Sequence, residues 1–278
     1  MLLLALMLYS TLACPEGREV REPLRIALTP VFLDDRVDFL EHWRAYLEKH
    51  LRQPVRFIQR KTYREVTWLL LRNEVGAAWI CGFPYVVNDK RLSLLAVPLY
   101  HGKPFYRSYL ITARDNASVN SWRDLEGKVF AFSDPDSNSG YLYPVYHLRR
   151  LGLDPATLFR KSFFAWAHRN VVEAVAEGLA DAGAVDGYVW ESLRKQNPEL
   201  TGRTRVVSRS PEFGFPPFVV RRNLPDQEIE HLRSALFSMQ HDPVGRSLLD
   251  KLDLDGFTRG NDALYGGIRQ MAEEVGSP

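Results

Sequence analysis

Cysteine is nearly absent. The 278 residues hold two, Cys14 and Cys81. Two thiols cannot make the covalent framework on which small secreted domains depend, so no disulfide scaffold is implied. An excess of charge of one sign is lacking too. Thirty-six Lys and Arg stand against 34 Asp and Glu, a net charge of +2. That argues against a dedicated nucleic-acid binder, which would show a strongly basic face. No internal repeat and no low-complexity tract is present, which excludes a solenoid. The chain also lacks a phosphate-cradling GxxxxGK[ST], an HExxH and a GxSxG. Its seven histidines and its carboxylates fall into no metal-ligand spacing. Neither a metal nor a cofactor is expected, and catalysis is not the favoured reading.

What is there suits a soluble globular protein, with 45% apolar and 25% charged residues. The length allows one large domain or two medium ones, each with its own core. The first residues differ from the rest. Met1 to Ala13 is apolar but too short to cross a bilayer comfortably. It ends in Thr11-Leu12-Ala13-Cys14, with small residues spaced as at a secretory cleavage site, and polar sequence follows at once. We therefore expect export, with residues 1–14 as a signal. Cys14 is either the lipid-bearing first residue of a mature lipoprotein or simply the residue after a cleavage. If Cys14 is held at the membrane or removed, Cys81 has no intrachain partner.

Along the chain, apolar residues switch between the period of strands and that of helices. Strands are expected at Leu24 to Leu28, Val55 to Ile58 and Gly76 to Ile80. Helices are expected at Asp38 to Leu51 and Thr62 to Leu71. That alternation is the α/β pattern, with a mainly parallel sheet. Leu95 to Leu99 and Tyr109 to Thr112 are further strand candidates. A second strand–helix–strand region then begins with Val129 to Phe132. It continues through helices at Tyr141 to Leu151 and Val171 to Gly178, and a strand at Ala182 to Tyr188. The arrangement predicts two lobes, 24–112 and 113–208, with 209–278 returning to the first. The crossings are expected near Ala113 and Ser208 to Ser210. A cleft between such lobes is the natural place for a ligand.

Three segments can reach that cleft. The most informative is Ser137-Asn138-Ser139-Gly140, where a strand hands over to a helix. Hydroxyls, an amide and the unpaired N–H groups of a helix start suit a small anion. One such residue would be an ordinary cap; three in a row before glycine point to a ligand. The second segment is Trp79-Ile80-Cys81-Gly82-Phe83-Pro84-Tyr85. Gly82 allows a close backbone approach. Cys81 is either a small buried apolar residue or a soft thiolate for a thiophilic ligand. The third is Trp166-Ala167-His168-Arg169-Asn170, ahead of a helix. His168 can donate to an anion when protonated, or hydrogen-bond as a neutral ring. Tyr63, Tyr106, Tyr109 and Tyr188 are candidate supporting phenols.

These residues resemble the periplasmic phosphate-, phosphite- and phosphonate-binding proteins that serve ABC importers. Asp134-Pro135-Asp136-Ser137-Asn138-Ser139-Gly140-Tyr141-Leu142-Tyr143-Pro144 is similar to that family's D-P-x-S-[ST]-S-G-[YF]-L-x-P run. Ala77-Ala78-Trp79, Ala167-His168-Arg169-Asn170 and Ala180-Asp181-Ala182-Gly183-Ala184 match its other segments. The resemblance implies a type II periplasmic binding fold, with a central cleft and two hinge strands. It also implies that Ser137, Asn138, Ser139 and the Gly140 amide grip an oxyanion, aided by His168. Cys81 and Gly82 would come from the other lobe, with Tyr63 and Tyr188 nearby. Asn138 departs from the family's Ser or Thr. The family's carboxylates for an amine-bearing ligand have no match except Asp186, so an aminoalkyl group is not expected.

The leading expectation is thus a monomeric, periplasmic, non-enzymatic binding protein that hands a small oxyanion to an ABC permease. A sensor input for a histidine kinase, taking arsenite through Cys81, is the alternative. An α/β hydrolase using Ser137 or Ser139 with His168 is the remote one. No nucleic-acid partner is expected.

Overall fold

The computed structural model describes residues 22–30 and 37–276. The expected signal, with Cys14, lies outside them. The first sheet is opened by β1 (Leu24–Leu28), β2 (Val55–Gln59), β3 (Ala77–Trp79) and β4 (Leu92–Leu99). The short β5 (Phe105–Tyr106) then leads to β6 (Ser108–Ala113), β7 (Val129–Phe132), β8 (Lys161–Phe164), β9 (Ala182–Asp186) and β10 (Thr204–Arg209). The chain returns through β11 (Phe213–Gly214) to β12 (Phe218–Arg221) and β13 (Gly256–Thr258). The first sheet has the order β13-β4-β12-β3-β1-β2, and the second β10-β6-β9-β7-β8. β5 and β11 pair with each other alone, Tyr106 opposite Phe213.

Local sequence explains these elements. β3 and β9 are buried at every position, so they read as continuous apolar runs rather than as alternation. The helix Tyr63–Leu71 starts at a capping box in which Thr62 and Glu65 satisfy each other's backbone N–H groups. It buries Val66, Leu69 and Leu70. The helix Val37–Leu51 sets Trp43, fully buried, against Phe57, Trp79 and Phe218, with ring centroids 5.1, 6.2 and 5.8 Å away. An aromatic buried to this degree contributes roughly 3 kcal/mol. Trp79 Nε1 donates to the Pro216 carbonyl at 2.9 Å, which ties the returning segment to β3.

Three expectations are revised. Ser108 to Ala113 belongs to the second sheet, where it pairs with β9 and β10. The crossings therefore lie at 105–106 and 213–214, not near Ala113 and Ser208 to Ser210. Apolar alternation shows that a segment is a strand but not which sheet receives it. The sheets are also less parallel than expected. β1 with its neighbours and β7 with its neighbours run parallel. β12, β13, β6 and β10 run antiparallel to theirs, because strands leaving or entering a crossing run back through the sheet. Finally, β8, β13 and the helices Pro243–Lys251 and Gly266–Val275 were not anticipated. β8 is an edge strand opening on exposed Lys161 and Ser162. Such a strand carries little hydrophobic signal.

Candidate functional site

β7 ends at Phe132, and the chain turns through Ser133 to Ser137 into one π-type turn, Asn138–Leu142, that continues as the helix Tyr143–Arg150. Ser137 is the cap: its Oγ accepts the Gly140 N–H at 3.0 Å. Ser133 N donates to the Gly140 carbonyl at 3.2 Å, so the loop closes on itself. A Cβ at position 140 would lie 1.8 Å from Ser133 Oγ; only glycine fits. Ser108 Oγ on β6 donates to the Ser139 carbonyl at 2.6 Å and fixes the turn to the sheet. Ser133, Asp134, Ser137, Asn138 and Ser139 are all buried, none above 1% exposure. The amides of Asn138 and Gly140 are spent on Cys81 and Ser137. Those two amides are thus spent within the protein, while the Ser133 and Ser139 hydroxyls have no partner.

His168 opens the helix His168–Ala176 and is buried. It is the first helical residue, not a residue ahead of the helix. The Asp186 N–H donates to its Nδ1 at 3.1 Å, so Nδ1 is an acceptor and the neutral ring carries its proton on Nε2. Burial lowers the His168 pKa to about 3, and of the two sequence readings the ring is the neutral one. Nε2 stands 3.5 Å from Ser137 Oγ. With the Gly140 amide and His168 supplying donors to that oxygen, the Ser137 proton is left for a ligand. The Asp186 carboxylate caps the next helix, accepting from the Tyr188 and Val189 amides. Burial pushes its pKa up to about 7.

The other lobe closes over this loop. Cys81 Sγ accepts the Asn138 N–H at 3.3 Å. Burial pushes the Cys81 thiol up to about 11, which keeps it protonated rather than thiolate. Tyr63, first residue of its helix, donates its free N–H to Asp134 Oδ2 at 3.2 Å. A carboxylate at a helix start also meets the positive end of its dipole. Asp134 is itself pushed up to about 6 by burial. Arg64 makes a two-pronged bond to Asp136, 3.1 and 2.8 Å, at the rim. From the hinge strand β5, the Tyr106 hydroxyl accepts the Asn138 Nδ2 at 2.9 Å.

The fold therefore brings Ser137, Asn138, Ser139, Gly140, His168, Cys81 and Tyr63 into one cluster. Two expected members are used otherwise. A Cβ on Gly82 would meet Ile268 at 2.7 Å and Tyr265 at 3.1 Å; the close approach there is core packing. Tyr188 gives its hydroxyl to the Leu252 carbonyl and sets its ring edge-on to Phe215 at 4.9 Å. Its donor is thus committed to the backbone. Tyr106, a candidate supporting phenol in the sequence, stands in the cluster, and so do Ser133, Asp134 and Asp186, to which the sequence reading assigned no ligand role. Their signals were present: Asp186 ends β9, Ser133 and Asp134 follow directly on β7, and Tyr106 ends the short β5 just ahead of β6. Among the described residues no group of three His, Cys, Asp or Glu could hold a metal ion.

Buried polar groups in folded proteins almost always find partners. Here Ser133 Oγ, Asn138 Oδ1 and Ser139 Oγ have none. Two α/β lobes, joined by two short crossing strands and sharing a buried polar cluster, define a type II periplasmic binding protein.

The comparisons agree. The family described as "ABC transporter, phosphonate, periplasmic substrate-binding protein" matches residues 26–265. The phosphate-import protein PhnD of Mycolicibacterium smegmatis is 26% identical over 259 residues, 83% of this chain and 78% of that one. A binding protein component of an ABC phosphonate transporter from Pseudomonas aeruginosa superposes with a TM-score of 0.84 at 22% identity. The match covers 92% of this chain and 87% of that one. PhnD1 from Prochlorococcus marinus, solved in complex with methylphosphonate, gives 0.81 at 20% identity, covering 91% and 97%. The chain belongs to the family of periplasmic substrate-binding proteins of ABC phosphonate transporters.

Proposed function

We propose that this chain captures a small phosphorus oxyanion of the phosphonate, phosphite or phosphate type and delivers it to an ABC permease. The observation that carries the reading is the set of buried, unpartnered polar atoms on one loop, Ser133 Oγ, Asn138 Oδ1 and Ser139 Oγ. The ligand's oxygens accept from the Ser133 and Ser139 hydroxyls, and the Asn138 side-chain amide borders the same space. Ser137 donates beside them, and neutral His168 holds that hydroxyl in place. Affinity then rests on fixed hydrogen bonds in a site shut off from water, where each is stronger than in solvent. Contacts across the cleft, Cys81 to Asn138, Tyr63 to Asp134 and Arg64 to Asp136, belong to the closed state. Ligand binding shifts the population towards that state.

The protein acts as a single copy and carries out no reaction on its ligand; Ser137 serves as a cap and a donor rather than a nucleophile. The protonated Cys81 thiol supports an oxyanion of phosphorus over a thiophilic arsenite. Titration calorimetry with phosphate, phosphite, methylphosphonate and arsenite tests the reading. Heat and a thermal shift are expected with at least one phosphorus ligand. Silence with all of them overturns it, and tight arsenite binding that Cys81→Ser abolishes transfers the site to the sensor alternative.

A further inference from the structure

A second concentration of polar side chains lies outside the cleft. β12 runs antiparallel to β3 and β4, and its last residue, Arg221, stands opposite Leu92 at the start of β4. This is the end of the first sheet away from Cys81, which follows the other end of β3. The helix Tyr63–Leu71 runs between the two ends. Tyr63 meets Asp134 at the cleft, and Leu71 borders the far end. At 1.5 Å per residue its nine residues separate them by about 13 Å.

A pocket of about 290 Å³ opens there. Four cations line it, Lys90, Arg91, Arg221 and Arg222, together with Asn73 and Asn223 and no carboxylate. Uncharged partners hold the guanidinium groups. Arg91 Nη2 donates to the Leu71 carbonyl at 2.6 Å, Arg222 Nη2 to the Asp89 carbonyl at 2.8 Å, and Arg221 Nη1 to Asn73 Oδ1 at 2.6 Å. Each fork is thus anchored through one terminal nitrogen, with its remaining N–H groups unspent on the protein. Arg221 Nε is buried without a partner, and a guanidinium cannot shed a proton to relieve that. Two acids in the adjoining turns, Glu74 and Asp89, pair instead with Arg72 and Arg269. A cation at a helix C-terminus meets the negative end of its dipole, which accounts for Arg91 beside Leu71. It leaves three like charges gathered in one pocket, where they repel.

We propose that this pocket is a second anion site, separate from the cleft, that takes a phosphate group. Pinned arginine forks match the geometry of phosphate oxygens, and the lysine adds a mobile point charge. The site stands independently of the functional reading above. The phosphate can be free or belong to the headgroup of an anionic lipid. β1 runs parallel to β3, so the chain enters the first sheet at this same end, and the expected signal and Cys14 lie ahead of it in sequence. An N-terminus held at a membrane would set this pole of the lobe towards the lipid surface.

Two probes separate the sources. Cosedimentation with vesicles of phosphatidylglycerol in phosphatidylcholine reads a headgroup, with phosphatidylcholine vesicles as the blank. Backbone amide NMR shifts of Asn73, Arg221 and Asn223, followed as inorganic phosphate is added, read a free anion apart from any binding in the cleft. Lys90→Glu is the main variant, because Lys90 is exposed and makes no side-chain hydrogen bond among the described residues. Lys161→Glu carries the same change of charge on exposed β8 of the other lobe and is the control. At least one probe should bind the wild type. Lys90→Glu should weaken that binding about fivefold or more, the size of one cation at an anionic surface, and Lys161→Glu should leave it within about twofold. Arg221→Gln should act like Lys90→Glu. Vesicle binding alone assigns the site to a lipid headgroup, and amide shifts alone assign it to free phosphate. Binding of neither probe overturns the proposal. So does binding that Lys90→Glu and Arg221→Gln leave intact, or a loss that Lys161→Glu reproduces, which would reduce the effect to overall charge.

Discussion

Gly140→Ala adds one methyl group at the tightest point of the loop. Its Cβ would sit 1.8 Å from Ser133 Oγ, 2.6 Å from Ser133 Cβ and 3.1 Å from His168 Cε1. The Oγ can rotate away; the Ser133 Cβ cannot, because Ser133 N is bonded to the Gly140 carbonyl. The two backbones must part, or the bond must bend. Overpacking of this kind costs about 1–3 kcal/mol. Against it stands the usual gain of replacing glycine where no left-handed backbone is needed, about 0.4–1 kcal/mol. The net is a loss of about 1–2 kcal/mol. For a chain of this size that lowers the melting temperature by roughly 2–4 °C. Binding should suffer more, because the displacement falls on Ser133, His168 and the Ser137 cap at once. We expect the methylphosphonate affinity to fall at least about tenfold. Gly266→Ala is the control, since its Cβ meets nothing within 4 Å and its backbone is helical. It should be neutral or slightly stabilising. Circular dichroism melts and calorimetry on both variants decide the matter. A Gly140→Ala protein that melts like the wild type and binds within twofold of it refutes the packing argument.

Three further outcomes follow from the same geometry. Burial raises the Asp186 pKa to about 7, above the ~3.9 of an unfolded Asp, so the folded state holds that proton more tightly. Its contribution to stability is present at low pH and lost as pH rises from about 4 to about 7. His168, lowered to about 3, opposes it, because the unfolded ring takes up a proton below about 6.5. Asp186→Asn removes only the first contribution. Its urea midpoint should therefore improve relative to wild type as pH rises through that window, and a pH-independent difference contradicts the assignment. Arg64 and Asp136 join the two lobes, and the arginine side chain is 45% exposed. A double-mutant cycle read in ligand affinity should give about 0.5–1 kcal/mol, fading in high salt; zero coupling means that closure does not use the pair. Cys81→Ser should keep methylphosphonate affinity within about fivefold, since a hydroxyl also accepts the Asn138 N–H. The wild-type thiol should resist iodoacetamide at mildly alkaline pH. Fast alkylation would show an ionised, accessible Cys81.

The sequence by itself determined the fold class and most of the loop. Alternation between strand and helix periods is local, and so are the turn and cap residues that mark Ser137 to Gly140. They could be read without knowing what packs on what. Which atoms of that loop remain for a ligand was decided only by tertiary structure. The Asn138 and Gly140 amides, natural anion donors in sequence, are consumed by Cys81, 57 residues away in the chain, and by Ser137. The neutral state of His168 follows from burial and from a bond to Asp186, at the end of β9. The space beside the Gly82 Cα and the Tyr188 hydroxyl are taken up by Tyr265, Ile268 and Leu252, all late in the chain. The crossings moved by several residues for a like reason. A strand's period is a property of its own side chains, but its sheet depends on partners far away in sequence. Desolvation and long-range pairing decided the state of the loop: a neutral buried histidine beside it, buried hydroxyls on it and two backbone amides already spent.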